Sequence, residues 1–360
     1  MQNRSQLRPG RGAASNPAGR FEPSRSEAAD DGWGILDEDL PRLETIVQAE
    51  AAKRIIARNN SPDVPFTQSI NPYRGCEHGC VYCYARPSHS FVNLSPGLDF
   101  ETRLFYKQDA AKLLAKELSA KSYECSPIAL GANTDPYQPI ERKYRVTRSV
   151  LELLSNCEHP ATIVTKGAAL IERDIELLAD MAERRLMAVF VSITTLDRKL
   201  KRTLEPRAAS PAARLATIRR LSDAGVPVGV MVAPVIPALT DHELENILDA
   251  AAAAGASSAN YVMLRLPHEV AGLFNEWLAL NEPLKAKHVL SRLKEMRGGR
   301  ENDPAFGSRM RGSGNYAKLF RQRFELASRK LGLDRADSRF ALDTTRFRPP
   351  SPTSPQQSLF

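Results

Sequence analysis

The chain has 360 residues, 42% of them hydrophobic, with 50 basic against 42 acidic residues and a formal net charge of +8. That hydrophobic fraction is enough for a sizeable core and excludes a wholly disordered chain. The longest apolar stretch, 226–239, is broken by Pro227, Pro234 and Pro237 and falls short of the ~20 residues a bilayer span needs, so no transmembrane helix is expected.

The N-terminus is polar and Arg-rich, without the apolar core of a signal peptide. Its Arg, Gly, Ser, Pro and Ala show little apolar periodicity, which predicts a disordered basic segment over about 1–40. Short β-branched runs then alternate with helical patterns. The strands expected are 66–71, 127–132, 162–165, 187–193, 226–233 and 259–264. Between them lie amphipathic segments near 109–119, 143–156, 168–183, 210–224 and 241–254. The third repeats Ile171, Ile175, Leu178 and Met181 at helical spacing. The fourth opens Ser210-Pro211 and stops before Gly225, the residue types preferred at an N-cap, a first helical position and a C-terminal left-handed position. Thr240 and Glu243 at the start of the fifth read as a capping box.

Six strands separated by five helices predict an α/β fold of parallel βαβ units with right-handed crossovers. An open doubly wound sheet and a full or partial barrel both remain open on pattern alone. In a barrel, chemistry would sit at the C-terminal ends of the strands. The core is expected over 60–270. A helical C-terminal extension follows over 271–335, with helices near 270–279 and 283–296 and a basic helix after Arg309. Residues 300–330 hold eight basic and three acidic residues, a net +5. Tyr316, Phe320 and Phe324 form one stripe of the basic helix, expected to pack on the core rather than stack on bases. The tail 336–360, with Pro349, Pro350, Pro352 and Pro355, is expected to be mostly disordered.

The five cysteines are too few for a disulfide framework, and three of them, Cys76, Cys80 and Cys83, fall within eight residues. They follow the first predicted strand, with Gly75 and Gly79 loosening the loop. Three thiolates so spaced can converge on one small object. A structural zinc would want a fourth ligand, for which His78 and His89 are available. A [4Fe–4S] cluster bound by three cysteines keeps one iron open for a non-protein ligand. Cys125 and Cys157 stand alone and are expected to be inert.

The stretch 75–86, Gly-Cys-Glu-His-Gly-Cys-Val-Tyr-Cys-Tyr-Ala-Arg, resembles the signature of the radical S-adenosylmethionine (SAM) superfamily, with aromatic Tyr82 before the third cysteine. Its wider wording is similar to the spore photoproduct lyase-like, or DNA repair photolyase-like, branch. Thr134 to Glu141, Thr165-Lys166 and Ala233 to Pro237 extend the resemblance over about 66–266.

The resemblance implies a partial (β/α)6 barrel, a [4Fe–4S] cluster held by Cys76, Cys80 and Cys83, and SAM on its open iron. Reductive cleavage would give a 5′-deoxyadenosyl radical that abstracts hydrogen from an unidentified substrate, nucleic acid being one candidate class. It further implies SAM contacts from Tyr82, Asn133, Thr134, Lys166, Ser192 and Ala233, with Lys166 facing the SAM carboxylate. A flavodoxin- or ferredoxin-type electron donor, a reducing cytoplasmic location and no membrane partner complete the expectation. Arg207 is a further candidate anion binder; alternatively, Glu205-Pro-Arg207 is a surface loop carrying an ion pair. The chain departs from the lyases at Ala132-Asn-Thr-Asp135, where they carry the cysteine that returns hydrogen to the product. That departure argues against thymine-dimer reversal. The readings set against this one are a zinc- or cluster-binding nucleic-acid module without catalysis and a degenerate scaffold that keeps a cluster but does not turn over SAM.

Overall fold

The computed structural model describes residues 10–21, 43–334 and 338–350. Its strands in chain order are β1 (Ile46–Ala49), β2 (Ile56–Arg58), β3 (Gln68–Ile70), β4 (Tyr73–Arg74), β5 (Arg103–Tyr106), β6 (Ile128–Leu130), β7 (Ala161–Thr165), β8 (Met187–Ser192), β9 (Val228–Val235) and β10 (Ser258–Met263). Seven of them form one sheet in the order β10-β9-β8-β7-β6-β3-β2. The six from β3 to β10 in that sheet pair parallel, and β2 adds an antiparallel edge. This is a mixed α/β fold built on the six strands expected, with both edges of the sheet left open. Strands such as β6 and β8 are continuous apolar runs because a parallel sheet covered by crossover helices is buried on both faces. A small second sheet, β1-β5-β4, lies outside it.

The crossover helices fall where the periodicity places them, with three exceptions, the first being 143–156, which breaks at Arg145 (φ 51°) so that its long helix starts at Val146. The segment 168–183 breaks into Ala169–Glu172 and Ile175–Glu183. The break turns the Asp174 carboxylate inward, where it receives Arg148, Arg173 and the Tyr137 hydroxyl. The capping box at 240–243 does not form either. Thr240 receives the Ile236 amide, and Glu243 is drawn away to the Thr195 hydroxyl and the Leu196 amide. Ser210 does cap its helix by accepting the Ala213 amide, and Gly225 takes the left-handed conformation at φ 80° that closes it.

Three helices follow β10: Glu269–Asn281, Pro283–Met296 and Gly314–Lys330. The aromatic stripe of the last packs inward as expected, with the Phe320 and Phe324 rings 5.1 and 4.7 Å from Tyr261 of β10. The segment before that helix joins the two sheet edges. Met263 of β10 donates to Met310 at 2.9 Å, while Asp63, between β2 and β3, accepts from Gly307 at 2.7 Å and Arg309 at 2.5 Å. Among the described residues, no helix is long and apolar enough to cross a membrane.

Two stretches that composition assigns to disorder are packed. Residues 10–21 lie against the cysteine loop because Arg11 and the amides of Gly12 and Ala13 find buried acceptors there. Residues 338–350 return along the sheet, where Asp343 donates to Arg185 and Arg348 to Cys157. The remaining parts of both predicted tails lie outside the described residues.

Candidate functional site

The loop after β3 leaves the C-terminal end of the sheet and carries all three clustered cysteines. Gly75 and Gly79 turn it at φ 74° and 67°, a region that disfavours any residue with a Cβ. At Gly75 a Cβ would also sit 2.6 Å from Leu104 and 2.8 Å from the Phe100 carbonyl. Cys76 donates its amide to that carbonyl at 2.9 Å, which pins the loop's first turn. Cys76 and Cys80 are buried, and Cys83 is partly open. Burial pushes all three thiols up, Cys80 to about 12. Their charges also reach one another, and Lys166 opposes the rise at Cys80 and Cys83. A metal bound there would have to displace protons.

Two buried carboxylates and a largely buried one, Asp135, hold this loop, and sequence reasoning gave none of them this role. Glu101 pairs with the fully buried Arg86 and accepts the Gly12 and Ala13 amides at 2.9 Å. Arg86 in turn donates to the Cys80, Pro96 and Gly97 carbonyls. Asp135, beyond β6, accepts from the Lys166 amide at 2.7 Å and the Thr165 hydroxyl at 2.6 Å, and lies 3.3 Å from His78. Burial would raise its carboxyl, but His78 and these hydrogen bonds hold it down at about 2. Glu205 is likewise buried. Burial would raise it too, but Arg214 and Lys166 bring it down to about 2. The reading of Glu205-Pro-Arg207 as a surface loop therefore fails at Glu205, which faces inward to the Tyr82 hydroxyl, Thr194 and Arg214. Arg207 is paired with Glu77 at 2.7 Å, so it is not a free anion binder. The signal missed was the helix face that carries Arg214, one turn after the Ser210 cap and pointing at the sheet.

Four of the six candidate SAM contacts meet at one place, and the other two sit apart. The Lys166 ammonium donates to the Ala233 carbonyl at 3.1 Å, stands 4.0 Å from Glu205 and lies 6.0 Å from the centre of the Tyr82 ring. Ser192 ends β8 beside this group, its carbonyl taken by Arg214. Asn133 and Thr134 sit apart, after β6, tied to the other side of the cysteine loop. The Asn133 amide donates to Asn71 at 2.9 Å, and the Thr134 hydroxyl donates to the Gly75 carbonyl at 2.8 Å.

The histidines offered as a fourth zinc ligand are otherwise engaged. His78 faces Asp135, and His89 lies 2.8 Å from the Arg103 carbonyl. Among the described residues, no three His, Cys, Asp or Glu side chains converge on a single metal ion. Cys125 lies before β6 and Cys157 before β7, at the opposite end of the sheet from the loop.

A family model described as the radical SAM superfamily matches residues 70–251. An uncharacterized protein of Mycobacterium tuberculosis strain H37Rv is 39% identical over 239 residues, 66% of this chain and 69% of the relative. One of Methanocaldococcus jannaschii is 27% identical over 193 residues, 53% of this chain and 68% of the relative. Among solved structures, a spore photoproduct lyase complexed with dinucleoside spore photoproduct superposes with a TM-score of 0.57 at 16% identity, covering 79% of each chain. A double mutant of that lyase with bound AdoMet and dinucleoside spore photoproduct gives 0.58 at 16% identity, covering 79% of this chain and 78% of that one. At that identity the likeness is one of fold.

Proposed function

The chain belongs to the radical SAM superfamily, and we propose that its cysteine mouth binds a [4Fe–4S] cluster and SAM and abstracts hydrogen from a substrate, nucleic acid being the first class to test. The observation that carries this reading is the placement of three thiols on one loop at the C-terminal end of a parallel sheet, with the Lys166 ammonium 6.0 Å from the ring of Tyr82, which lies between the second and third of them in the chain. The donor set fits the group. Three soft thiols without a free histidine beside them suit a cluster that keeps one site open, and they suit a closed zinc centre poorly. The chemistry the bound group supplies is reductive cleavage of SAM and hydrogen abstraction by its 5′-deoxyadenosyl fragment.

The protein's own part is to bind, orient and exclude water. Cys76, Cys80 and Cys83 serve as ligands once deprotonated. Lys166, held by a backbone carbonyl with Glu205 at 4.0 Å, offers its charge to the SAM carboxylate. Ala233 keeps the β9 backbone open to an adenine ring, and Ser192 and Tyr82 border the same space. Asn133 and Thr134 hold the far side of the loop. Residues 11–13 shield the loop from behind, since a Cβ on Gly12 would lie 1.8 Å from the Gly79 carbonyl. A low-potential flavodoxin- or ferredoxin-type donor and a reducing cytoplasm are the partner and compartment this reading requires. Because the stretch after β6 has no cysteine, the reading does not extend to thymine-dimer reversal.

The test is anaerobic reconstitution followed by SAM and dithionite, with iron and 5′-deoxyadenosine quantified. Wild type is expected to hold about four irons and to release the nucleoside, and Cys80→Ala to lose both. Iron without nucleoside would favour a catalytically silent scaffold. One zinc and no iron would overturn the proposal.

A further inference from the structure

The mouth carries a group of arginines that the SAM reading leaves unused. Arg265 follows β10 by two residues, at the same end of the sheet as the cysteine loop. Among the described residues it has no carboxylate partner. Its Nη1 reaches only the Met310 thioether at 3.3 Å, and its Nε is buried without an acceptor. A thioether is a weak acceptor, and a half-buried guanidinium left this way is costly unless an anion completes it.

Its position points toward the reaction site. The Arg265 guanidinium lies 5.7 Å from the centre of the Tyr84 ring. Tyr84 follows Cys83 directly, donates its hydroxyl to the Ala132 carbonyl beyond β6, and is 48% exposed. Arg265 thus stands across one open aromatic ring from the third cysteine. Two more guanidiniums lie close to it. Arg309 is paired with Asp63, whereas Arg297 is buried against the Leu264, Ser308 and Arg309 carbonyls, feels Asp303 only at a distance and has no ion pair among the described residues. These residues stand as three cations against the one pairing carboxylate.

We infer that Arg265 receives a phosphate group of the substrate, with the face of Tyr84 as the wall beside it. The inference rests on the functional reading above only for what happens to that substrate next. Phosphate suits the observations better than a carboxylate, because two guanidiniums without an ion-pair partner among the described residues stand together and the Arg fork grips two phosphate oxygens at once. The phosphate has two plausible carriers, a single nucleotide and a nucleic-acid strand, and both present the same group to Arg265.

The experiment is calorimetric titration of the anaerobic, cluster-loaded protein, without SAM or reductant. The probes are inorganic phosphate, deoxycytidine 5′-monophosphate, a single-stranded trinucleotide, and uncharged deoxycytidine. The monophosphate is expected to bind at least about tenfold more tightly than the nucleoside, and Arg265→Gln to lose about tenfold in affinity for every phosphate probe. Arg265→Lys keeps the charge without the fork and should lose only part of it. Arg329→Gln, a change at an arginine far more exposed than Arg265, should lose none. Matching melting temperatures keep the comparison between variants sound. A trinucleotide that binds more tightly than the monophosphate identifies a strand as the carrier, and equal binding identifies a nucleotide. Equal affinity for nucleoside and monophosphate, or an unchanged Arg265→Gln, overturns the inference. Because no turnover is needed, failure to form 5′-deoxyadenosine would count against the functional reading alone.

Discussion

The two ends of the parallel sheet are closed by different chemistry. At the C-terminal end, the carboxylates of Glu101, Glu205 and the largely buried Asp135 are each held by a cation or by several donors. At the N-terminal end the seal is neutral. The Tyr123 hydroxyl meets His159 at 2.7 Å and Gln68 at 3.0 Å, and Phe347 lies edge-on to both rings. A neutral seal needs only shape and a few hydrogen bonds. A loop that must hold three thiols in place has few side chains of its own to pack, so its geometry is borrowed from buried charges. Fixed charges cost desolvation, and they appear at the end where orientation matters.

The largest expected effect comes from breaking one of those pairs. Arg86 and Glu101 are both fully buried, so Arg86→Met strands a carboxylate and should cost about 3–5 kcal/mol in chemical unfolding. It also frees the Cys80 carbonyl, so iron retained per chain should fall along with stability. Removing both partners should not restore the wild type, because Glu101 also serves the Gly12 and Ala13 amides. A loss below ~1 kcal/mol would show that the loop holds itself.

The neutral end makes the opposite prediction, a dependence on pH. Burial holds His159 down at about 4 from an ordinary 6.5, so the unfolded chain takes up its proton first as pH falls. The stabilisation is complete above pH 6.5 and is lost toward pH 4, by about 3 kcal/mol. His89, also held at about 4 by burial, contributes in the same direction and window. His159→Gln should therefore remove about half of the acid sensitivity measured by urea unfolding between those pH values. An unchanged slope would mean that His159 charges freely in the folded state.

The regular skeleton was legible because it depends on local signals. Six apolar runs became the six parallel strands, and Ser210 and Gly225 bounded their helix where residue preferences placed them. The cysteine loop was legible for the same reason, its chemistry lying within eight consecutive residues. The supports were not. Glu101 meets Arg86 fifteen residues away, but also Gly12 at a separation of 89 and Ala13 at 88. No periodicity marks such partners. The N-terminal strap was misjudged because composition measures the apolar area a segment can bury, and residues 11–13 are held instead by hydrogen bonds to buried acceptors. Glu243 shows the limit of a local motif. A capping box is worth about 1 kcal/mol, which is less than the two partners that Thr195 and Leu196 offered instead.

The smallest expected effect tests whether charge matters away from the mouth. Arg323, on the Gly314–Lys330 helix, forms a bidentate pair with Glu245 at 2.9 and 2.7 Å. Its geometry is as good as that of the buried pairs, but the side chains are 33% and 47% exposed. Water and salt already solvate both charges, so the pair adds little and loses little when broken. Arg323→Ala should change stability by about 0–1 kcal/mol, and by less at high salt. The helix itself should stay docked, because Phe320 and Phe324 rather than the arginines hold it to Tyr261. A loss approaching that of Arg86→Met would mean that burial does not separate the two classes of pair, and that the basic face of this helix is anchored by charge.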